Sequence, residues 1–405
     1  MTRPESRVFQ PLRLKRVVLP HRIVRAATFD NMATAEGMPS RAQAGLFSDL
    51  ARGGAGTIIT GFSYVSRQGR AAQPFQAGID HDDKIAPWAA VLKEVRQANA
   101  ETRVFLQIAH TGRQTISRAT GRPVVGAGPV RCRYFLAPVR HLTEMEVTRK
   151  VDEFVAAAVR AEKAGFDGVQ IHAAHGYLIH QFLSPHTNRR QDRYGADPLL
   201  FLEEIISGIR RQSNMPLLLK LSGAEDQRRG LSVERLRPLM PRIDAIDLDA
   251  IEVSYGTMEI PLNIIRGGQP LEAVLKHNYL FTRWGKIFAA LFRHLIYPIY
   301  RKRMIPYADL YNLENACRIK AMSGTPILVT GGVRSGAQIV RVIDREGLDG
   351  VTLCRPFIRE PDLVQKLRRD PEYRSTCVSC NLCTVMCDSR EPLRCFLDRP
   401  ETCSS

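Results

Sequence analysis

The stretch "EVTRKVDEFVAAAVRAEKAGFDGVQIHAA", Glu146 to Ala174, holds a helix and then a strand, and the way they are joined decides the fold. Val151, Phe154, Val155, Ala158 and Glu162 recur at the spacing of one helical turn, and Gly165 follows as a residue able to cap a helix. Beyond it, "DGVQIHAA" (167–174) is a short apolar run of strand composition. Seven similar runs flank it: "RIVRAA" (22–27), "GTIITG" (56–61), "RVFLQIAH" (103–110), "PLLLKLSG" (216–223), "DAIEVSYG" (249–256), "TPILVTGG" (325–332) and "DGVTLCRP" (349–356). Helical patterns separate most of them. Strand and helix alternating eight times predicts an α/β chain folded as a (β/α)8 TIM barrel. An open doubly wound sheet is the competitor, but its usual G-x-G-x-x-G turn after the first strand is missing. The barrel is expected over residues 1–371, with an insertion near 277–306 after strand six and a Cys-rich tail over 372–405.

Composition narrows the class. Hydrophobic content of 44% over 405 residues suits a globular chain with a substantial core. The start, "MTRPESRVFQ", is too polar for a secretory signal, and no run reaches the length of a spanning helix. A cytoplasmic location is the expectation. The excess of 58 Lys and Arg over 41 Asp and Glu, a net +17, points to nucleic acid, an anionic membrane surface, or acidic substrates and cofactors. No aromatic-studded basic repeat or helix-turn-helix pattern supports nucleic acid.

In a barrel of this kind the chemistry sits where the strands end. That rule selects Thr28, Gly61, Gln107 with His110, His172 with His175, Lys220, Tyr255, Gly331–Gly332 and Arg355. "TGGVRSG" after strand seven and "CRPFIREPDL" after strand eight occupy the loops that hold phosphate in many barrels. Gly331 and Gly332 permit close backbone approach there, and Arg355 offers a fork for phosphate oxygens.

Together with "FLQIAHTGRQ", "IHAAHGYLIHQFLSPHTNRR", "YNLENACRIK" and "ILVTGGV", these motifs make the chain resemble the old yellow enzyme family of FMN-dependent NAD(P)H:flavin oxidoreductases and ene-reductases. The resemblance covers nearly all of the first 370 residues. It implies one FMN across the barrel mouth, with its phosphate at Gly331, Gly332 and Arg355. It also implies Gln107 at the flavin pyrimidine edge, and Ala27 and Thr28 beneath the ring. Three positions depart from the family pattern. Lys220 replaces an arginine beside flavin N1 and O2, which keeps the cation but loses the planar fork. Cys354 replaces a glycine before Arg355, and Phe29 stands where many members carry threonine or cysteine.

His172 and His175, three residues apart at the end of strand four, are two donors for one substrate oxygen. Such a pair stabilises the negative charge that grows on a carbonyl or nitro oxygen as hydride adds to an activated alkene. Tyr177, protonated at neutral pH, can supply the second carbon with a proton, and it matches the family's proton donor. The expected reaction is hydride transfer from NAD(P)H through FMN to an α,β-unsaturated carbonyl or a similar small molecule.

The tail "CVSCNLCTVMCDSREPLRC" separates Cys377, Cys380 and Cys383 by two residues each, with eleven residues between Cys383 and Cys395. Four such thiolates suit a [4Fe–4S] cluster, with a four-cysteine zinc site or free thiols as alternatives. Cys387 and Cys403 are surplus. The arrangement is similar to the cluster motif of the dienoyl-CoA reductase and trimethylamine dehydrogenase branch. It opens a second function, an electron-transferring dehydrogenase using FMN and the cluster. The insertion "FTRWGKIFAALFRHLIYPIYRKR" (281–303) mixes aromatic and aliphatic residues with cations such as Arg283, Lys286 and Arg293. It reads as a lid over the mouth, a contact between copies of the chain, or an amphipathic helix on a membrane surface.

Overall fold

A computed structural model describes residues 6–389 and 391–397. The helix read from periodicity runs Glu144–Ala164 (here α3). Thr143 opens it with a capping box: its side chain accepts from the Glu146 amide while the Glu146 side chain accepts from the Thr143 amide. Gly165, at φ 92°, closes it in the left-handed conformation and donates its N–H to Ala161. The chain then enters a buried strand, Gly168–Ala173.

That unit is one of eight. The barrel strands are β1 (Ile23–Arg25), β2 (Thr57–Ile59), β3 (Arg103–Ala109), β4 (Gly168–Ala173), β5 (Leu217–Ser222), β6 (Ala250–Ser254), β7 (Ile327–Thr330) and β8 (Gly350–Leu353). Each pairs in parallel with its successor, and β8 pairs with β1, so the sheet closes. The (β/α)8 barrel is the fold, and no open sheet edge is left for the doubly wound alternative. Outer helices include α1 (Arg41–Arg52), α2 (Ile85–Ala98), α3, α4 (Leu200–Arg210), α5 (Met240–Ala245), α6 (Leu313–Lys320), α7 (Gly336–Val340) and α8 (Leu363–Arg369). One continuous apolar core lies between strands and helices.

The barrel interior is layered. Val24, Ile59, Phe105, Leu218, Ala250 and Leu328 fill its N-terminal end. A hairpin, Leu12–Arg13 against Val18–Leu19, adds Leu12, Leu14 and Leu19 to this cluster. Above the floor the inward positions turn polar, with Gln107, Gln170, Lys220, Glu252 and Thr352 all buried.

After β6 the chain is helical at Pro261–Ile265 and Leu271–His277, before the aromatic run begins. Gly285, at φ 76° and ψ −177°, breaks Tyr279–Leu291, and the helix resumes through Phe292–Ile296 to Tyr297–Arg301. The side chain of Arg283 and the whole of Cys403 lie outside the described residues. Among the described residues no helix is long and apolar enough to cross a membrane.

Candidate functional site

A cleft at the C-terminal end of the barrel gathers Ala27, His175, Lys220, Gly331, Gly332, Cys354 and Arg355, seven positions singled out from the sequence. Ile264, Ile265, Tyr307, Tyr311, Arg334 and Ser379 complete much of its wall. Lys220, Arg334 and Arg355 are cations, and no carboxylate lines the cleft among the described residues. Glu252 and Asp309 pair with Lys220 and Arg334 from outside this lining, and Arg355 adds a further cation suited to an anionic ligand.

The loop after β7 is held by its glycines. Gly331 and Gly332 have φ of 120° and 76°, a region that L side chains rarely enter. A Cβ on Gly332 would lie 2.5 Å from the Leu310 nitrogen, and one on Gly331 would lie 2.5 Å from the Tyr311 ring. Arg355 Nη1 donates to the Arg266 carbonyl at 2.9 Å and to Asn381 Oδ1 at 2.6 Å. These bonds fix the guanidinium on the cleft wall but also tie it to the excursion and the tail. Its fork is therefore partly engaged by protein. Arg334, which the sequence reading passed over, stacks on Tyr307 at 4.5 Å and reaches Asp309 and the Cys377 carbonyl. Its place two residues after the glycine pair was the available signal.

Under the cleft, the polar layer forms one chain of hydrogen bonds. Gln107 donates to Gln170, and Gln170 and Lys220 donate to the two oxygens of Glu252, each at 2.7 Å. Thr352 donates to Glu252 Oε1 at 2.7 Å. Strand register explains the assembly, since Lys220 pairs with His172 on one side and Glu252 on the other. Gln107 gives one amide N–H to Gln170 at 2.7 Å. Gln170 and Glu252 were not anticipated, because an inward polar residue on a barrel strand reads like an outward one.

Thr28 lies beside the cleft, its hydroxyl within reach of the Ala26 carbonyl and of Cys354 Sγ at 3.1 Å. Gly61 serves packing: a Cβ there would lie 2.8 Å from the Thr28 carbonyl. Toward one side of the mouth, aromatic rings form a wall. His172 and His175 meet edge to face at 5.0 Å, and His172 lies 4.6 Å from the Tyr177 ring. Phe62, a second residue that the sequence reading missed, packs on Tyr177 at 5.1 Å and on Phe29 at 5.0 Å.

Burial sets the protonation of this wall. It drives both histidines well below the usual imidazole range, with Lys220 adding to the effect on each and His172 adding to that on His175. Both rings are neutral at pH 7. His172 Nδ1 accepts from the Ala174 amide, which leaves the ring proton on Nε2. His175 Nε2 is 2.8 Å from Ser254 Oγ, and its backbone, at φ 58°, is held by Ser222. Burial pushes the Tyr177 phenol upward, so it keeps its proton.

The four tail cysteines of the spacing argument come together. Cys377, Cys380, Cys383 and Cys395 line one small cavity with Arg355, Arg359 and Asn381. Among the described residues no three His, Cys, Asp or Glu side chains are grouped to hold a single metal ion. Cys387 lies outside this lining. It is buried, and its Sγ donates to the Phe29 carbonyl at 3.3 Å. Arg355 and Ser379 belong to both the cysteine cavity and the main cleft, so the two share a wall.

The model of the NADH:flavin oxidoreductase / NADH oxidase family matches residues 7–246. The NADH oxidase of Thermoanaerobacter brockii is 28% identical over 93% of this chain, which spans 53% of that enzyme. An NADPH dehydrogenase from a Geobacillus species is 31% identical over 88% of this chain and 92% of its own length. A solved 2-naphthoyl-CoA reductase superposes with a TM-score of 0.78 at 21% identity, covering 97% of this chain and 57% of that one. Barrel, cleft and sequence agree, and the chain belongs to the NADH:flavin oxidoreductase / NADH oxidase family, the old yellow enzymes.

Proposed function

We infer that this chain is an FMN-dependent reductase of activated alkenes that uses NAD(P)H, and that its tail carries an iron–sulfur cluster. The observation that carries the first part is the neutral His172–His175 pair beside Tyr177, at the edge of a cationic cleft. The cleft fits FMN on two grounds. Gly331 and Gly332, at φ values that L side chains rarely adopt, line it together with Arg334 and Arg355, which suits close backbone approach to the phosphate. Lys220, on the barrel side of the same cleft, suits the negative charge of a reduced ring. A bound FMN would supply hydride transfer between the nicotinamide and a substrate carbon.

The chain's own groups account for the selectivity. His172 Nε2–H donates toward a substrate oxygen, and His175 does so from Nδ1 when Ser254 donates to its Nε2. Two fixed donors in a buried site stabilise an enolate-like oxygen without rearranging at the moment of reaction. Tyr177 holds the proton that the adjacent carbon requires, and Phe62 and Phe29 keep that side of the mouth dry.

The cysteine cavity supports the second part. Cys377, Cys380, Cys383 and Cys395 line one cavity, as four ligands of a single cluster would. Burial holds Cys383 up at about 12, so the thiol gives up its proton only as metal binds. The shared wall at Arg355 and Ser379 also keeps open the electron-transferring dehydrogenase, because it puts the tail directly against the cleft.

Tyr177→Phe tests the first reading. Rapid-mixing measurements should show flavin reduction by NAD(P)H within about twofold of wild type, and reoxidation by an enone slowed on the order of 10²- to 10⁴-fold. Equal slowing of both halves would assign Tyr177 to positioning, and an unchanged enone step would sink the proton role.

A further inference from the structure

The helix that resumes after Gly285 has two apolar faces, and only one of them is packed. On the inner face Phe281 meets Phe292 at 4.6 Å, and the Tyr297 and Tyr300 hydroxyls donate to the Gln269 side chain and the Glu259 carbonyl. On the outer face stand Ile287, Leu291, Leu295 and Ile299, spaced by four and exposed by 88, 47, 61 and 68%. Residues four apart share a helix face, so these form one stripe, with Ile296 beside it. Aliphatic side chains aligned in this way over about three turns mark a surface that is covered in use.

The charges around the stripe indicate what covers it. From Ala273 to Ala308 the chain has seven Lys and Arg and no Asp or Glu. Lys286, Arg301, Lys302 and Arg303 are all exposed. A second copy docking face to face would set these like charges against one another. Nucleic acid would satisfy the cations but would find only aliphatic side chains where stacking needs rings. An anionic bilayer satisfies both, with the stripe entering the acyl boundary and the cations meeting lipid phosphates.

We propose that this helical arm seats the protein on anionic phospholipid membranes. The arm lies next to the cleft. Asn263 donates to the Arg303 carbonyl and accepts from the Ile305 amide, and its neighbours Ile264 and Ile265 line the cleft. The seated protein therefore holds its mouth beside the lipid surface.

Vesicle flotation of the FMN-loaded protein tests this. The protein should float with vesicles of phosphatidylcholine containing about a third phosphatidylglycerol, and not with phosphatidylcholine alone. Rising salt should release it. Lys302→Gln/Arg303→Gln should weaken binding roughly fivefold per cation removed. Ile287→Asp/Leu295→Asp should abolish flotation while flavin content and thermal midpoint stay at wild-type values, since both residues face solvent. Failure of the wild-type protein to float with anionic vesicles would overturn the proposal, as would flotation insensitive to the aspartate pair. A dimer that the aspartate pair dissociates, with no vesicle binding, would assign the stripe to a contact between copies instead.

Discussion

The two ends of the barrel solve the same closure problem with opposite chemistry. At the N-terminal floor, Val24, Ile59, Phe105, Leu218, Ala250 and Leu328 meet the Leu12–Leu19 hairpin, and the seal is wholly apolar. At the mouth, the same eight strands present neutral histidines, a buried lysine, two arginines and a cover of cysteine-rich chain. The floor needs only volume and water exclusion, both of which apolar side chains provide. The mouth must instead hold polar groups in place before any ligand arrives, at a cost in desolvation that only hydrogen bonds offset. Comparable inward positions thus carry stability at one end and chemistry at the other.

The largest effect should come from the layer where the two regimes meet. Glu252 is fully buried and takes three hydrogen bonds, from Lys220, Gln170 and Thr352. Glu252→Ala leaves Lys220 as an unpartnered buried cation, which typically costs about 3–5 kcal/mol. Urea unfolding of the FMN-free protein should show that loss. Lys220→Met in the same chain should recover much of it, because it removes the stranded charge. If Glu252→Ala unfolded at the wild-type midpoint, the polar layer would contribute nothing to stability, and the boundary between floor and mouth would lie elsewhere.

A paired experiment then breaks or keeps the division itself. Leu218→Ala, in the floor, should cost about 2–5 kcal/mol of stability and leave the rate per folded molecule unchanged. His172→Ala/His175→Ala, in the mouth, should lose on the order of 10²- to 10³-fold in enone reduction with flavin retained. A floor variant that slowed turnover, or a histidine variant that mainly unfolded, would merge the two regions.

The contrast also explains what the sequence could reveal. The barrel was legible because its strands are short apolar runs ending in glycine or polar residues, as "DGVQIHAA" shows, and because α3 announces both of its ends through Thr143 and Gly165. What gathers at the mouth and in the tail was legible where a residue type is costly without a purpose, as with Gly331–Gly332, His175 beside His172, and the four spaced cysteines. Contacts made across long separations were not legible. Arg355 with Asn381, Glu252 with Lys220, and Phe62 with Tyr177 depend on closure of the whole sheet, which no local pattern encodes. The floor hairpin escaped notice because "LRLKRVVL" mixes cations with leucines and shows neither clean period.

A pH effect probes how the cover is pinned. Asp388, in the tail, accepts from Gln73 at 2.8 Å and from Asn278 at 2.6 Å, so it joins the cover to two parts of the mouth. Burial raises its carboxyl to about 6. An unfolded aspartate titrates near ~3.9, so between about pH 4 and 6 the folded chain holds a proton that the unfolded chain has lost. This contribution to stability is therefore largest below pH 4 and declines as pH rises through 6, by roughly 3 kcal/mol at most. Asp388→Asn should flatten that part of the stability profile measured by urea unfolding. An unchanged profile would mean that the carboxylate is ionised in the fold and that the cover is held by other contacts.

The smallest expected effect distinguishes a cysteine that binds from one that packs. Cys387 is four residues beyond Cys383, close enough in sequence to replace Cys395 as the fourth ligand. In the fold it is turned away. It is buried beneath the cover with Phe396 and Met386, donates to Phe29, and its thiol is raised well above its usual value by that burial. A serine hydroxyl can make the same hydrogen bond, so Cys387→Ser should cost about 1 kcal/mol or less and leave the metal content unchanged. Cys395 lines the cavity with Cys377, Cys380 and Cys383, and Cys395→Ser removes a corner that nothing else fills. Iron and acid-labile sulfide in anaerobically purified protein decide the matter: wild-type levels in the first variant and a large loss in the second are expected. The reverse result would exchange the two roles, and would require the tail to repack around Phe29 when metal binds. Iron in neither variant nor wild type would remove the cluster and leave the four cysteines as a cap for the mouth, closing it by packing as the hairpin closes the floor.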